Sequence, residues 1–249
     1  MSYALCTVPA APVRGEAAHR SEMTSQLLFG EAVEILEESG EWLRIRSLYD
    51  GYEGWVTNHV VEETPAAITG SYVASGLINE VQWRGSMLRA PMGSTLAGLG
   101  DGGVLWDGRS FYAGQWRDVS KVDASLILPL AVQWLNAPYL WGGKTMMGVD
   151  CSGFVQTVFK VAGIPLLRDA WQQAGGGEAV ASLSEAQPRD LAFFHNDKSR
   201  VTHVGILIND KEIIHASGRV RIDTLTEEGI ISRTSGKLTH PLHSVRKYV

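Results

Sequence analysis

The chain has 249 residues, 45% hydrophobic and 20% charged, with a formal net charge of −5; this is the balance of a globular protein with room for one to three domains. The acidic balance and the lack of a Lys/Arg run exclude a nucleic-acid backbone as main partner, and no run of about 18 apolar residues offers a helical membrane span. The two cysteines, Cys6 and Cys151, are too few for a disulfide framework.

Met1 to Arg20 has no basic start followed by an apolar core and does not read as a signal peptide. The cytoplasm is therefore expected, and an unpaired Cys151 fits a reducing compartment. A mature chain that had lost a leader would read the same way and would be periplasmic or secreted.

Residues 1–65 read as a small all-β barrel. Ala32 to Glu37 precedes the turn signal Ser39-Gly40, and Trp42-Leu43-Arg44-Ile45-Arg46 alternates apolar and polar as a half-buried strand does. Tyr49 to Val56 adds a turn and a short strand. Glu62 to Ala67 reads as a linker. A second β-rich stretch, residues 70–120, echoes the first and is expected to form another small barrel, punctuated by Ala90-Pro91 and Asp101-Gly102-Gly103.

From residue 122 to 249 the pattern is α+β. Ala124 to Leu135 is apolar enough for a helix despite Pro129, and Pro138-Tyr139-Leu140-Trp141-Gly142-Gly143 reads as a loop. Ser152 to Ala162 spaces Phe154, Val155, Val158 and Phe159 for one helical face, and Gly163 and Pro165 end it. Leu191 to Phe194, Val201 to Ile208 and Glu212 to Ala216 read as strands of a short antiparallel sheet.

The chemistry lies in this last part. Cys151 falls in the first turn of the helix, and His203 and His215 fall on neighbouring strands. A helix N-terminus and a nearby imidazolium both favour the thiolate, and a second polar group can orient the first histidine. The hairpin must cooperate. A two-residue turn would put Val204 opposite His215 and send His203 to the other face. An odd-length turn or a bulge puts Gly205 opposite His215 and His203 diagonally beside it, with Gly205 leaving room for the rings. A zinc site of Cys151, His203 and His215 is the alternative reading. It lacks a fourth ligand and any Cys-x-x-Cys spacing, so neither metal nor cofactor is expected.

Pro138 to Gly143, Asp150-Cys151-Ser152-Gly153-Phe154, His203-Val204-Gly205-Ile206 and Ile214-His215-Ala216-Ser217 together resemble the NlpC-type, papain-like cysteine peptidases that cut cell-wall peptides. Ser21 to Glu31 and Asp50-Gly51-Tyr52-Glu53-Gly54-Trp55 resemble the subgroup with one or two bacterial SH3-like barrels before the peptidase. The resemblance implies hydrolysis between γ-D-Glu and the diamino acid of murein peptides with a free N-terminal L-Ala, in cell-wall peptide recycling. It implies Cys151 as nucleophile, His203 as general base and then acid, and His215 as its orienting partner. Asp150 reads on its own as a helix cap; the resemblance adds the substrate amine. Its charge would raise the Cys151 pKa unless a cation, such as a bound ammonium, offsets it. Ser152 and Tyr139 are the next substrate contacts. The Cys151 N–H and Tyr139 are candidate oxyanion donors. Glu22 and Tyr52 match subgroup positions that meet the amine. Ala170 departs from the pattern, where a serine often follows Arg-Asp, and this bears on substrate preference. Cys6, His19, His59, His195, His240 and His243 read as structural or surface residues. The competing functions are a cell-surface murein hydrolase with SH3-like wall anchors, a non-enzymatic murein-binding module and an acyltransferase of the same papain-like class.

Overall fold

The computed structural model describes residues 2–249. The chain forms two compact units. The first takes the chain up to Val122 together with Trp141–Thr145, and the second takes Asp123–Leu140 and Met146–Val249.

In the first unit, β1 (Ser2–Cys6), β2 (Ala10–Arg14), β3 (Met23–Leu28), β4 (Ala32–Ser39), β5 (Trp42–Ser47), β6 (Glu53–Thr57) and β7 (Val61–Thr64) form one antiparallel sheet in the order β3-β2-β6-β5-β4-β1-β7. The alternation expected for Trp42 to Arg46 is realised: Leu43 and Ile45 are buried and Arg44 and Arg46 exposed. Leu43 and Ile45 join Ala4, Cys6, Val13, Leu27, Val33 and Val56 in the core. The expected linker is shorter than its composition implied, because Glu62, Glu63 and Thr64 pair with β1 as an edge strand.

β8 (Tyr72–Ala74), β9 (Ile78–Trp83), β10 (Ser86–Pro91), β11 (Phe111–Tyr112) and β12 (Trp116–Asp118) follow, with β9 between β10 and β11 and β8 beside β12. Phe29 packs with Val81, Leu96, Leu105 and Tyr112 in their core. Gly30 permits this approach: its φ is +72°, and a Cβ there would stand 1.9 Å from the Thr95 carbonyl oxygen. An ion pair is buried in the same unit. Lys144 Nζ lies 3.2 Å from Glu31 Oε1, both side chains are at most 4% exposed, and Glu31 Oε2 also accepts from the Leu28 N–H at 2.8 Å.

In the second unit, Ala124–Leu126 is a 3-10 turn that leads into α1 (Ile127–Gln133). Pro129 sits in the first turn of α1, where its missing N–H has no intrahelical partner to lose. Before α2 (Cys151–Val161) come two short strands, β13 (Lys144–Thr145), which belongs to the first unit, and β14 (Gly148–Val149), which belongs to the second. All eleven residues of α2 are buried, so its surroundings cover every side and not only the apolar face. α3 (Ala170–Ala174) follows.

The expected short sheet is larger than its sequence signals. β15 (Glu178–Val180), β16 (Leu191–His195), β17 (Val201–Asn209), β18 (Glu212–Ser217), β19 (Arg219–Thr226), β20 (Gly229–Ile231) and β21 (Leu238–Lys247) run in the order β15-β21-β16-β17-β18-β19-β20, and β20 also pairs with β21. That last pairing closes six of the strands into a barrel and leaves β15 outside the ring. Ala192, Phe194, Leu207, Ile213, Leu225, Ile230 and Val245 pack together in one core cluster.

Candidate active site

Asp150 starts α2. Its side chain accepts from the Gly153 N–H at 2.6 Å, the N-cap contact that satisfies one of the orphan donors of the first turn. Cys151 is therefore the first residue of the helix, and it is buried. Its Sγ lies 3.9 Å from the Thr202 carbonyl oxygen, against β17 beside His203.

Gly205 pairs with His215, and the register slips between Leu207 and Asn209. Of the odd-length turn and the bulge that the same-face argument allows, the fold uses the bulge. His203 and His215 consequently meet, with His203 Nε2 2.8 Å from His215 Nδ1. A Cβ on Gly205 would stand 2.9 Å from His215 Cβ and 2.7 Å from the Ile213 side chain, so the position tolerates only glycine without a shift.

Three neighbours escape the sequence reading. Arg168 is 1% exposed and grips Asp150 with both arms: Nη2 donates to Oδ2 at 2.6 Å and Nη1 to Oδ1 at 3.1 Å. Nη1 also donates to Ser152 Oγ at 2.9 Å. A counter-charge to Asp150 is thus built into the fold, although Asp150 still raises the Cys151 thiol more than Arg168 lowers it. Asp223 on β19 lies behind the histidines, with Oδ2 3.0 Å from His215 Nε2. His240, expected to be a structural or surface residue, stacks on His203 with centroids 4.1 Å apart and planes at 27°. The first of these was visible as Arg168-Asp169 but not as a partner of Asp150. The other two sit on strands that carried no motif.

The free site is electrically quiet. Burial pushes the Cys151 thiol up to about 12, with Asp150 adding to the rise and the Val204 and Ser152 N–H groups opposing it. Burial holds His203 well below the usual histidine range, and the neighbouring His215, His240 and Arg221 add to that. The pair therefore stands as neutral thiol and neutral imidazole, unlike the thiolate that the helix N-terminus alone would favour; desolvation outweighs the dipole here. Burial would raise the Asp223 carboxyl, yet hydrogen bonds from His215 and the Arg233 N–H, with the charge of Arg221, take it to about 2.

The nitrogens of His203, His215 and His240 lie within 4.8 Å of one another. Stacked rings send their in-plane lone pairs side by side, and two of the nitrogens share a hydrogen bond. The set does not converge on a point as three zinc ligands do.

Tyr139 is half-buried, with burial and then the charges of Cys151 and Asp150 raising its hydroxyl. Ala170 is the first residue of α3, buried behind Asp169, whose N–H donates to Gln172 Oε1 at 2.9 Å. Glu22 and Tyr52 belong to the first unit. Glu22 Oε1 accepts from Trp141 Nε1 at 2.7 Å, and Tyr52 lines a small enclosed space with Asp50, Glu31 and Lys144.

A buried cysteine at a helix start beside a histidine pair on a strand hairpin defines a papain-like thiol site. Residues 136–239 match the NlpC/P60 family and residues 13–59 the bacterial dipeptidyl-peptidase SH3 domain. The chain is 31% identical to the gamma-D-glutamyl-L-lysine dipeptidyl-peptidase of Bacillus subtilis, over 82% of this chain and 76% of that protein. It is 24% identical to dipeptidyl-peptidase 6 of Lysinibacillus sphaericus, over 84% and 86% respectively. The fold matches the crystal structure of an NlpC/P60 family protein from Bacillus cereus with a TM-score of 0.80, over 99% of both chains at 20% identity. The chain belongs to the NlpC/P60 family of cysteine peptidases.

Proposed function

We propose that the protein hydrolyses the bond between γ-D-Glu and the diamino acid of murein peptides that carry a free N-terminal L-Ala, and that it serves the recycling of such peptides in the cytoplasm. The observation that carries the reading is the placement of Cys151 at the start of α2 beside the His203–His215 pair. The B. subtilis relative, named for action on a γ-D-glutamyl-L-lysine bond, supports the substrate class.

In this reading Cys151 Sγ attacks the γ-carbonyl as His203 takes the thiol proton, so charge appears only as the bond forms. The oxyanion is held by the Cys151 N–H, with Tyr139 as second donor. His203 then protonates the departing amine of the diamino acid, and water, deprotonated by the same ring, hydrolyses the thioester. His215 orients His203. Asp150 and Ser152 contact the substrate through the array already tied to Arg168.

Mass spectrometry of products from L-Ala-γ-D-Glu-meso-diaminopimelate and its L-Lys counterpart tests the proposal, with an N-acetylated copy of each and a Cys151→Ala control. Release of L-Ala-D-Glu by wild type alone, and from the free-amine peptides alone, is expected. Equal cleavage of the acetylated copies would transfer the reading to a hydrolase of wall-attached murein. No cleavage of any peptide would defeat it.

A further inference from the structure

We infer that Asp223 is a positioning residue that sets the proton pattern of both histidines and so leaves His203 Nδ1 as the base. His203 Nε2 and His215 Nδ1 are 2.8 Å apart, and one proton must lie between them. Which nitrogen owns it is decided one step further back. Asp223 Oδ2 is 3.0 Å from His215 Nε2, in a place where both side chains are at most 2% exposed. A carboxylate only accepts, so His215 Nε2 carries a proton and, in the neutral ring, His215 Nδ1 does not. His215 Nδ1 must then accept from His203 Nε2–H. The remaining nitrogen of His203, Nδ1, keeps its lone pair for the thiol.

The surroundings keep Asp223 ionised. The Arg233 N–H donates to Oδ1 at 2.9 Å, and Arg221 Nε stands 2.8 Å from Oδ2 as a counter-charge without the alignment of a hydrogen bond. His240 adds no acceptor to the relay, since it stacks on the face of His203. When His203 takes the thiol proton, the same carboxylate stabilises the cation through His215.

The substitution Asp223→Asn separates this role from packing. The Arg233 N–H requires an oxygen in the Oδ1 place, so the amide NH2 faces His215 Nε2 and donates. The relay then reverses, and His203 Nδ1 becomes the protonated nitrogen. The expected result is a kcat lower by about 10-fold or more, by analogy with the loss of a carboxylate behind a metal-ligating histidine, with KM within about twofold of wild type.

The decisive measurement needs neither the variant nor turnover. Long-range 15N–1H NMR of the histidine-labelled wild-type protein, assigned by single His→Gln replacements, reads the tautomers directly. His215 protonated on Nε2 and His203 protonated on Nε2 are expected. His215 protonated on Nδ1 overturns the inference, as does an Asp223→Asn protein with kcat within about twofold of wild type. The kinetic arm rests on the peptidase reading. If wild type cleaves no peptide, that reading fails while the tautomers still judge Asp223.

Discussion

Removing the guanidinium of Arg168 should cost the second unit more than any surface change could. The group is 1% exposed and the Asp150 side chain 8%, so neither charge has water to fall back on. Arg168→Met keeps the apolar stem and strands the carboxylate beside Cys151. Breaking a buried pair from one side costs about 3–5 kcal/mol. At about 2–4 °C per kcal/mol for a chain of this size, the melting temperature should fall by about 10 °C. Asp150→Asn gives the reverse imbalance, because an asparagine still caps α2 but leaves Arg168 without its counter-charge. The double variant buries no charge at either position. Thermal and urea unfolding of the four proteins form a cycle. The double variant should be more stable than the sum of the single losses by about 2 kcal/mol or more. Additive losses, or an Arg168→Met protein within about 1 kcal/mol of wild type, would refute the view that the pair is a desolvated unit.

Three further outcomes follow from the site. Gly205→Ala forces its Cβ against His215 Cβ and the Ile213 side chain; stability should fall by about 1–3 kcal/mol and kcat should fall further than the folded fraction, measured by turnover beside a melting curve. The pH profile of kcat/KM should stay level from neutrality upward and decline only below about 6.5, because His203 is inactive when protonated and burial moves that protonation to lower pH. With the thiol near 12, iodoacetamide should alkylate Cys151 far more slowly than free cysteine at pH 7; rapid alkylation there, or an acid limb at pH 7 or above, would contradict the neutral pair.

What could be read in advance was local. Asp150, Cys151 and the apolar run behind them announce a capped helix, and the hairpin arithmetic places His203 and His215 on one face, because both depend on residues within a few positions of each other. That arithmetic asked for an odd-length turn or a bulge, and the fold supplies a bulge between Leu207 and Asn209. His240 was illegible because β21 reaches the site by barrel closure, a non-local event with no signature in a short window; Asp223 and Arg221 lie on the hairpin strand next to His215, within eight positions of it, but on a stretch that carried no motif. Arg168 was in view and its partner was not, since eighteen positions separate it from Asp150. Glu62 to Thr64 misled in the other direction: acidic edge-strand residues have the composition of a linker, and their pairing with β1 is invisible without it.

The placement of Lys144 bears on how such chains can be dissected. By number it lies seven positions before Cys151 and inside the stretch that matches the peptidase family, yet its contacts belong to the first unit, where it neutralises Glu31. A shuffled gene cut at residue 122 would deliver the first unit without that cation. A scan that sorts positions by sequence would also credit the peptidase with a loss of stability in the first unit. Inheritance of the two parts is therefore coupled through five residues, and homologous exchange has to carry Trp141–Thr145 together with the strands they serve.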